Sequence, residues 1–490
     1  MHEVDILIFI VYMIAMLGVG IYFFRKNKSS DDYYVSGRNM KSWHVGLSVV
    51  ATDVGGGFSI GLGGLGFTMG LSGSWMLFTG LIGAWLSAVY LIPKVSKLGF
   101  EHKFFTFPQL FGHFYSGRVA LLAGIISAIG YIGFTSSQVL AGAKLASATI
   151  TGLDMQTALI VMGCIAVVYT AIGGLKAVIY TDTVQWLILI GGLVFIGIPV
   201  AYNAVGGYEA IQATLPAEYL SLTNITGYQL LNWGITIIPI WFVGMTLYQR
   251  IYASKGEKEA KKAWFIAGFF EWPVMAFMGV ILGMLAKVAA SQGLFTGITD
   301  PAMMDSEMGL PVLLSTVLPV GLMGLMLASY FSAVLSTADS CLMAASGNIV
   351  TDIIVAFRKK EMTQKHMLWL SQLVTLLVGA FAILLASRMQ NVLELMLYSY
   401  AFMVSGLFVP VIGALFWKKS HPVAAFWSML LGGTTTIYLI VSGNKLPFGI
   451  QLPEKLDANF YGLSISLLVF VVMSNYWHNK KKDSLTAIHK

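Results

Sequence analysis

The stretch Ala51-Thr-Asp-Val-Gly-Gly-Gly-Phe-Ser59 sets an acidic residue beside three glycines inside a long apolar run. A charged side chain in the middle of a lipid bilayer is costly, and such residues are usually functional. Glycines loosen a membrane-spanning helix, and unwound backbone survives in a bilayer only where it lines a cavity within the protein. The stretch is therefore typical of a broken helix that carries an ion and substrate site in a secondary transporter.

The composition around this stretch is that of a membrane protein. Of the 490 residues, 57% are hydrophobic and only 11% are charged, whereas a soluble domain has roughly 25% charged residues. Apolar runs of about 20 residues each span a bilayer. They predict an all-α polytopic protein, a single membrane domain over residues 1–490, with thirteen transmembrane helices: 4–24, 44–66, 74–92, 119–145, 156–172, 180–201, 231–248, 264–287, 319–354, 367–386, 391–417, 423–441 and 460–477.

The distribution of basic residues predicts the orientation in the inner or plasma membrane. With the N-terminus outside, 25 of the 30 Lys and Arg residues fall in cytoplasmic segments, namely 25–41, 93–118, 173–179, 249–263, 355–366, 418–422 and the tail 478–490. Such an excess marks the cytoplasmic side of a membrane protein. The net charge of +7 is therefore a bias of the inner surface, and we expect no nucleic-acid partner.

The broken helix suggests a cation site beside a solute site. Unwinding around Gly55–Gly57 frees the carbonyl groups of residues 51–54, which suit a small hard cation. It also exposes the N-terminus of the following half-helix, which suits an anionic or hydrogen-bonding group. The alternative is that the glycines form a packing face, since small residues let membrane helices approach closely.

The long span 319–354 carries hydroxyl groups that face one side. The residues that share this face at spacings of three and four are Ala333, Ser336, Thr337 and Ser340. Asp339 lies beside the face as a second membrane acid. The hydroxyl groups are candidate ion ligands, although bonding within the helix or between helices is the alternative reading, which we favour for Ser329 and Ser332.

Two further acids lie within predicted spans. Asp182 follows the turn that begins at Gly173 and lies in the first turn of the next helix, where an acid also stabilises the helix dipole. Glu271 lies beside Pro273 inside a span, and the sequence suggests no partner for it.

Several motifs together resemble the sodium:solute symporter family. They are Asp32-Tyr-Tyr-Val-Ser-Gly-Arg38, Ala51-Thr-Asp-Val-Gly55, Gly173-Gly-Leu-x-Ala-Val-x-Tyr-Thr-Asp182-x-x-Gln185, Ser336-Thr-Ala-Asp-Ser340 and Pro410-Val-Ile-Gly-x-Leu-Phe-Trp-Lys418. The resemblance implies a LeuT-type core with broken helices, formed by two inverted repeats of five helices over residues 44–417. A leading helix at 4–24 and two trailing helices at 423–477 would flank this core.

The resemblance also implies ion ligands. The main sodium site would use the backbone oxygens of Ala51, Val54 and Ala333 and the hydroxyl groups of Ser336 and Thr337. Some members bind a second sodium, and here Asp182, Ser340 and Asp339 are the candidates. Asp339 replaces a hydroxyl residue of the sialate-type site, so the family pattern leaves one or two sodium ions open.

The family places its solute beside the broken helix. The candidate contacts here are Asp53, Gly55, Gly56, Gly57, Phe58, Ser59, Ser74, Phe78, Gln138 and Trp241. Sugar carriers of the family have a glutamine where this chain has Phe58, which disfavours a sugar. We expect a small amino acid or carboxylate, whose carboxylate group would meet the half-helix N-terminus near Gly56.

These features predict a sodium-driven symporter that works by alternating access, as a monomer in the lipid bilayer. No nucleophile–base pair, metal cluster or phosphate-binding loop suggests an enzyme. Proton coupling through Asp53, Asp182 and Asp339 is one alternative. A transporter-like ligand sensor is another, although the tail after Trp477 is short for a signalling domain.

Overall fold

A computed structural model describes residues 2–26, 30–295, 303–358, 362–447 and 450–488. Within these ranges the regular elements are helices joined by loops, with two isolated β-bridges and no β-strand. The helices are α1 Glu3–Lys26, α2 Ser30–Val35, α3 Ser42–Met69, α4 Trp75–Leu86, α5 Ile92–His102, α6 Pro108–Phe114, α7 Gly117–Thr149, α8 Met155–Gly192, α9 Ile198–Ala204, α10 Gly207–Thr214, α11 Gly227–Val243, α12 Met245–Ala253, α13 Glu257–Phe269, α14 Ala276–Ser291, α15 Gly309–Val317, α16 Leu322–Gly347, α17 Gln364–Ala386, α18 Val392–Phe416, α19 Pro422–Ser442 and α20 Ala458–Ile488.

The helices include many that are long and apolar enough to cross a membrane. Nine such helical segments occur in the described parts of the chain, and α11 with α12 makes a tenth if this pair, bent by 41°, is one span. The predicted all-α polytopic class agrees with this architecture. The number of thirteen spans stays a prediction.

The second predicted span is broken where its glycines begin. Within α3, Gly55 has φ +33° and ψ −166°, which divides the helix into two halves. A positive φ is strained for any residue with a Cβ atom, so glycine is required at this position. The glycines further along α3 have a different role, because a Cβ atom at Gly66 would collide with the backbone of Val280 on α14. The helix therefore uses glycine both for its break and for close packing.

Helix α8 covers two predicted spans, and its contacts with α16 show that the chain reverses within it. These contacts run, in order, from Met162 near Val334 to Thr170 opposite Asp339, Asp182 opposite Ser336 and Gly192 opposite Met326. The position along α16 first advances and then returns. The chain therefore turns back between Thr170 and Asp182, where the sequence predicted a tight inner turn at 173–179, and the apolar helical segments on its two sides are Met155–Val168 and Val178–Ala204.

Helix α16 occupies the centre of the fold. It packs against α3, α7, α8 and α1, and almost all of its side chains are buried. Helix α3 packs against α13, α14, α8 and α16. Helices α19 and α20 pack on each other and on α18. The broken helix and the hydroxyl face of α16 consequently meet in the interior of the helical bundle.

An ion-pair network joins the loop before α15 to two other helices. Lys144 on α7 contacts the carboxylates of Asp305 at 2.6 Å and Glu307 at 2.7 Å. The Glu307 carboxylate also accepts hydrogen bonds from the backbone N–H groups of Val392 and Leu393, both at 2.9 Å, at the start of α18. These bonds hold α7, α18 and the loop together at the end that the charge distribution predicts to be extracellular.

Candidate functional site

Three of the five predicted sodium ligands converge at the break in α3. The Thr337 hydroxyl donates to the carbonyl oxygen of Ala51 at 3.0 Å and lies 3.2 Å from that of Ala333. Val54, a fourth predicted ligand, is fully buried one turn after Ala51. A Cβ atom at Gly55 would collide with the Thr337 hydroxyl, so the break and the hydroxyl are in direct contact. Oxygen atoms from two helices thus lie together in a buried place.

The fifth predicted ligand points to a neighbouring acid. Ser336 donates its hydroxyl proton to Oδ1 of Asp182 at 2.5 Å. Asp182 is fully buried and also accepts a hydrogen bond from Ser48 on α3. Asp182 therefore joins α8 to both helices that carry the predicted main site. Its role extends beyond stabilising the dipole of its own helix.

A buried arginine that the sequence analysis did not single out contacts the predicted second-sodium residues. Nη2 of Arg250 lies 2.8 Å from the Ser340 hydroxyl, 2.5 Å from the Thr52 hydroxyl and 3.4 Å from Oδ2 of Asp182. Its Nε donates to Ser48 at 3.0 Å. The Arg250 side chain has no solvent exposure. A positive charge from the protein itself is therefore already in place between Asp182 and Ser340.

Asp339, the third candidate for a second sodium, lies apart from this cluster. Its Oδ1 accepts a hydrogen bond from the Thr170 hydroxyl on α8. Thr170 also donates to the carbonyl oxygen of Ala166 at 2.8 Å. The structure therefore brings Asp182 and Ser340 together through Arg250 and places Asp339 in a different contact.

The predicted solute contacts near the break bond to one another. The backbone N–H of Gly57 donates to Oε1 of Gln138 at 2.9 Å, and the Ser59 hydroxyl donates to the carbonyl oxygen of Gly55 at 2.7 Å. Gln138 therefore occupies one donor of the half-helix N-terminus. The side chains of Gly56 and Phe58 lie outside those that the structure describes.

Asp53, beside the break in α3, contacts Glu271, the acid for which the sequence suggested no partner. The carboxyl groups of Asp53 and Glu271 interact directly, and Tyr400 on α18 donates to Oδ1 of Asp53 at 3.2 Å. Glu271 is fully buried against Gly80 on α4. Apart from the contact between the two carboxyl groups, no described group donates a hydrogen bond to either oxygen of Glu271 or to Oδ2 of Asp53.

The remaining predicted solute contacts lie at different places along α4. The rings of Phe78 and Trp272 meet edge to face with centroids 5.0 Å apart, and Trp272 follows Glu271 in the chain. Trp241 is buried beside Gly83, one turn along α4 from the acid pair. Ser74 lies in the short helical turn before α4, where a Cβ atom on the adjacent Gly73 would meet Leu65 on the second half of α3 and Val280 on α14. Among the contacts of the described residues, none joins Phe78, Trp241 or Ser74 to the acid pair.

The sequence analysis did not predict two residues of the site, Arg250 and Tyr400, for different reasons. The predicted span 231–248 ended two residues before Arg250, which was counted as a cytoplasmic loop residue, whereas α12 continues to Ala253. Tyr400 lies near the middle of the predicted span 391–417. Tyrosine usually lies at the ends of spans, so a central tyrosine was an available signal for a polar site.

The sequence matches the profile of the "Sodium:solute symporter family" over residues 33–432. The "High-affinity proline transporter PutP" of Bacillus subtilis is 26% identical, over 86% of this chain and 89% of that protein. The "Sodium/glucose cotransporter 1" of Oryctolagus cuniculus is also 26% identical, over 88% of this chain and 71% of the relative. The solved structure "Substrate-bound outward-open state of a Na+-coupled sialic acid symporter reveals a novel Na+-site" has a TM-score of 0.81 at 21% identity and covers 97% of this chain and 98% of its own.

The chain belongs to the sodium:solute symporter family. It is a sodium-coupled transporter of the membrane and not an enzyme, so the predicted family, fold class and transport class are confirmed. Proline and glucose carriers are comparably similar to it, and the comparisons therefore leave the solute open.

Proposed function

We infer that this protein imports a small organic solute together with one sodium ion. The observation that carries this inference is the meeting of Ala51, Ala333 and Thr337 oxygens at the broken helix. Val54 and Ser336 complete the ligand set that the family resemblance implies. Oxygen atoms are the ligands that small hard cations prefer.

Sodium at this place would link α3 to α16. Its ligands come from both helices, so the ion stabilises the arrangement in which the two helices are close. The solute site borders the same break, through Asp53 and Gly57. Each ligand then raises the affinity for the other by the same factor, because coupling between two binding sites is reciprocal.

Arg250 is the reason for proposing one sodium ion instead of two. Its guanidinium group already contacts both Asp182 and Ser340, which the sequence analysis assigned to a second ion. A sodium ion at the same place would add a second positive charge beside the guanidinium. Like charges in a buried site repel strongly because the surroundings screen them little.

One sodium ion supplies enough energy for useful accumulation. At a membrane potential of about −100 mV, each entering positive charge gains ~2.3 kcal/mol. This energy supports roughly 40-fold accumulation of a neutral solute before any sodium gradient is counted. The direction is inward, with the N-terminus outside and the C-terminal tail in the cytoplasm, and a monomer in the bilayer is sufficient for this cycle.

For the solute, an amino acid or a carboxylate is preferred over a sugar. The half-helix that begins after Gly55 directs its N-terminus toward the site, which favours an acceptor group on the solute. Gln138 already accepts from Gly57, so the donors that are left for a solute are those of neighbouring residues.

Proton coupling is a second candidate because of one observation. The buried carboxyl groups of Asp53 and Glu271 are in contact, and two carboxyl groups in contact hold a proton readily. A proton could then take the place of sodium as the driving ion.

Uptake by the purified protein in liposomes distinguishes these proposals. With a sodium gradient and matched pH on both sides, we expect solute accumulation that disappears when potassium replaces sodium. Accumulation driven by a pH gradient without sodium would instead establish proton coupling.

A further inference from the structure

A cleft with a volume of about 870 Å³ opens at the side of the membrane that the charge distribution predicts to be cytoplasmic. Its walls are the start of α7, the start of α19 and the chain that follows α16, with Leu121, Phe426 and Phe357 among the lining residues. Small-molecule sites have volumes of roughly 300–1,000 Å³. The cleft is therefore large enough for a substantial ligand.

The polarity of the cleft changes with depth. Residues 116–118, which include a serine and an arginine, line it at the start of α7, and Leu121 lies about one turn further into the predicted span. On α19, Pro422 begins the helix, and the rings of Phe426 and Trp427 lie more than one turn further in. Polar groups at the mouth and apolar groups deeper inside match the order of headgroup and acyl chain in a phospholipid of this leaflet.

The apolar wall of the cleft is exposed on the surface of the protein. Phe357 is 72% exposed and Trp427 is 42% exposed. Both residues lie near the predicted inner ends of spans, where tryptophan is enriched because its ring suits the boundary between headgroups and acyl chains. At this depth of the membrane, lipid is the medium that contacts such a wall.

A basic cavity of about 440 Å³ adjoins the cleft at the start of α19. His421 lines the basic cavity, and the next residue, Pro422, lines the cleft. Lys418 and Lys419 in the turn before α19 and Lys480 on α20 also line the basic cavity. Among the residues that the structure describes, no acid lines either cavity.

The basic residues of the two cavities are available to an external anion. Arg118, Lys418, Lys419 and Lys480 are exposed, and none of them forms an ion pair within the described parts of the chain. Anionic lipids attract basic residues at the cytoplasmic surface, and each such residue contributes a roughly fivefold gain in affinity. A zwitterionic lipid gains less, because its own ammonium group offsets the charge of its phosphate.

We propose that this cleft binds an anionic phospholipid of the inner leaflet. The phosphate group of the lipid would lie at the mouth, near Arg118 and the lysines of the basic cavity, and an acyl chain would lie against Phe426 and Trp427. This lipid site is separate from the sodium and solute sites, so it does not depend on which ion drives transport.

The test measures how lipids with brominated acyl chains quench the fluorescence of Trp427. The purified full-length protein is reconstituted in phosphatidylcholine vesicles in which brominated phosphatidylglycerol or brominated phosphatidylcholine replaces an increasing share of the lipid. The chain has 12 tryptophans, so the signal of Trp427 is the difference between the unchanged protein and Trp427→Phe. We expect half-maximal quenching at a mole fraction of phosphatidylglycerol at least about fivefold lower than that of phosphatidylcholine.

Variants identify the basic residues responsible. Arg118→Gln should lower the preference for phosphatidylglycerol about fivefold, and Arg118→Lys, which keeps the charge, should retain most of it. The double change Lys418→Gln with Lys419→Gln should also lower the preference. The matched control is Lys258→Gln, which removes an exposed basic residue of α13 on the same predicted side of the membrane and should change nothing.

Native mass spectrometry gives a second measurement that needs no tryptophan variant. We expect the unchanged protein to retain phosphatidylglycerol in preference to phosphatidylcholine, and Arg118→Gln to lose this preference. Equal quenching of Trp427 by the two lipids, or a preference that persists in both the Arg118 and the lysine variants, would overturn the proposal. Trp427 that neither lipid quenches, in a protein whose mass is that of a dimer, would instead show that a second copy of this chain covers the cleft.

Discussion

Replacing Thr337 by valine should sharply weaken sodium binding while leaving the fold intact. Valine keeps the branched shape of threonine and removes the hydroxyl group that meets Ala51 and Ala333. A hydrogen-bonding group that contacts a charge contributes about 1.5–3 kcal/mol. This loss corresponds to a roughly 10–150-fold rise in the sodium concentration needed for half-saturation. The double change of Thr337 and Ser336 to alanine should raise it further.

The assay is the melting temperature of the ligand-free protein as sodium replaces potassium at constant ionic strength. Thr337→Ser keeps the hydroxyl group and should restore most of the affinity. Ser329→Ala is the matched control on the same helix, because the Ser329 hydroxyl only bonds to the Leu325 carbonyl oxygen at 2.8 Å. A half-saturating sodium concentration in Thr337→Val within about threefold of the unchanged protein would refute the assignment of this site.

Three other changes test neighbouring parts of the account. Asp182→Asn leaves the buried Arg250 without its partner and should lower the free energy of unfolding by about 3–5 kcal/mol, with an unchanged sodium Hill coefficient. Recovery of the melting temperature on adding Arg250→Gln would confirm the pairing. A lower Hill coefficient would instead indicate a second sodium ion. Lys144→Met removes the ion pair to Glu307 and should increase hydrogen exchange in the loop that carries Glu307, whereas unchanged exchange would show that the network does not hold the loop. Gly55→Ala should abolish sodium-dependent uptake, since φ is +33° there and a Cβ atom would strike the Thr337 hydroxyl; normal uptake would contradict the proposed role of the break.

The features that the sequence predicted well are those that depend on local pattern. A bilayer requires about 20 apolar residues for each span, so the span 423–441 closely anticipates α19 at Pro422–Ser442. The break in α3 follows from consecutive glycines beside an acid. The shared face of Ala333 and Thr337 follows from helical periodicity, and the structure places their oxygens together.

The features that the sequence did not predict depend on contacts between distant segments. Arg250 and Asp182 are 68 residues apart, and no local pattern connects them. Arg250 was also assigned to a cytoplasmic loop, because hydropathy falls at the polar end of α12. That end is nevertheless buried by the neighbouring helices. The partner of Glu271 could not be named for the same reason, since Asp53 approaches it only after α3 and α13 pack together.

For some residues the sequence predicted a polar contact correctly but did not predict the partner. Gln138 and Gly57 were both predicted to contact the solute, yet they bond to each other. Composition identifies polar groups in a membrane but not which of them satisfy one another. Asp339 illustrates the same limit, since it lies beside the hydroxyl face in sequence but bonds to Thr170 on α8.

The most direct test of sodium-coupled import is the simultaneous uptake of solute and radioactive sodium by the purified protein in liposomes. The solute is a compound that raises the melting temperature of the protein in sodium. The account predicts one sodium ion taken up with each solute molecule, and loss of both fluxes at low sodium in Thr337→Val. Solute uptake without any accompanying sodium would contradict the account, whatever ion drives it.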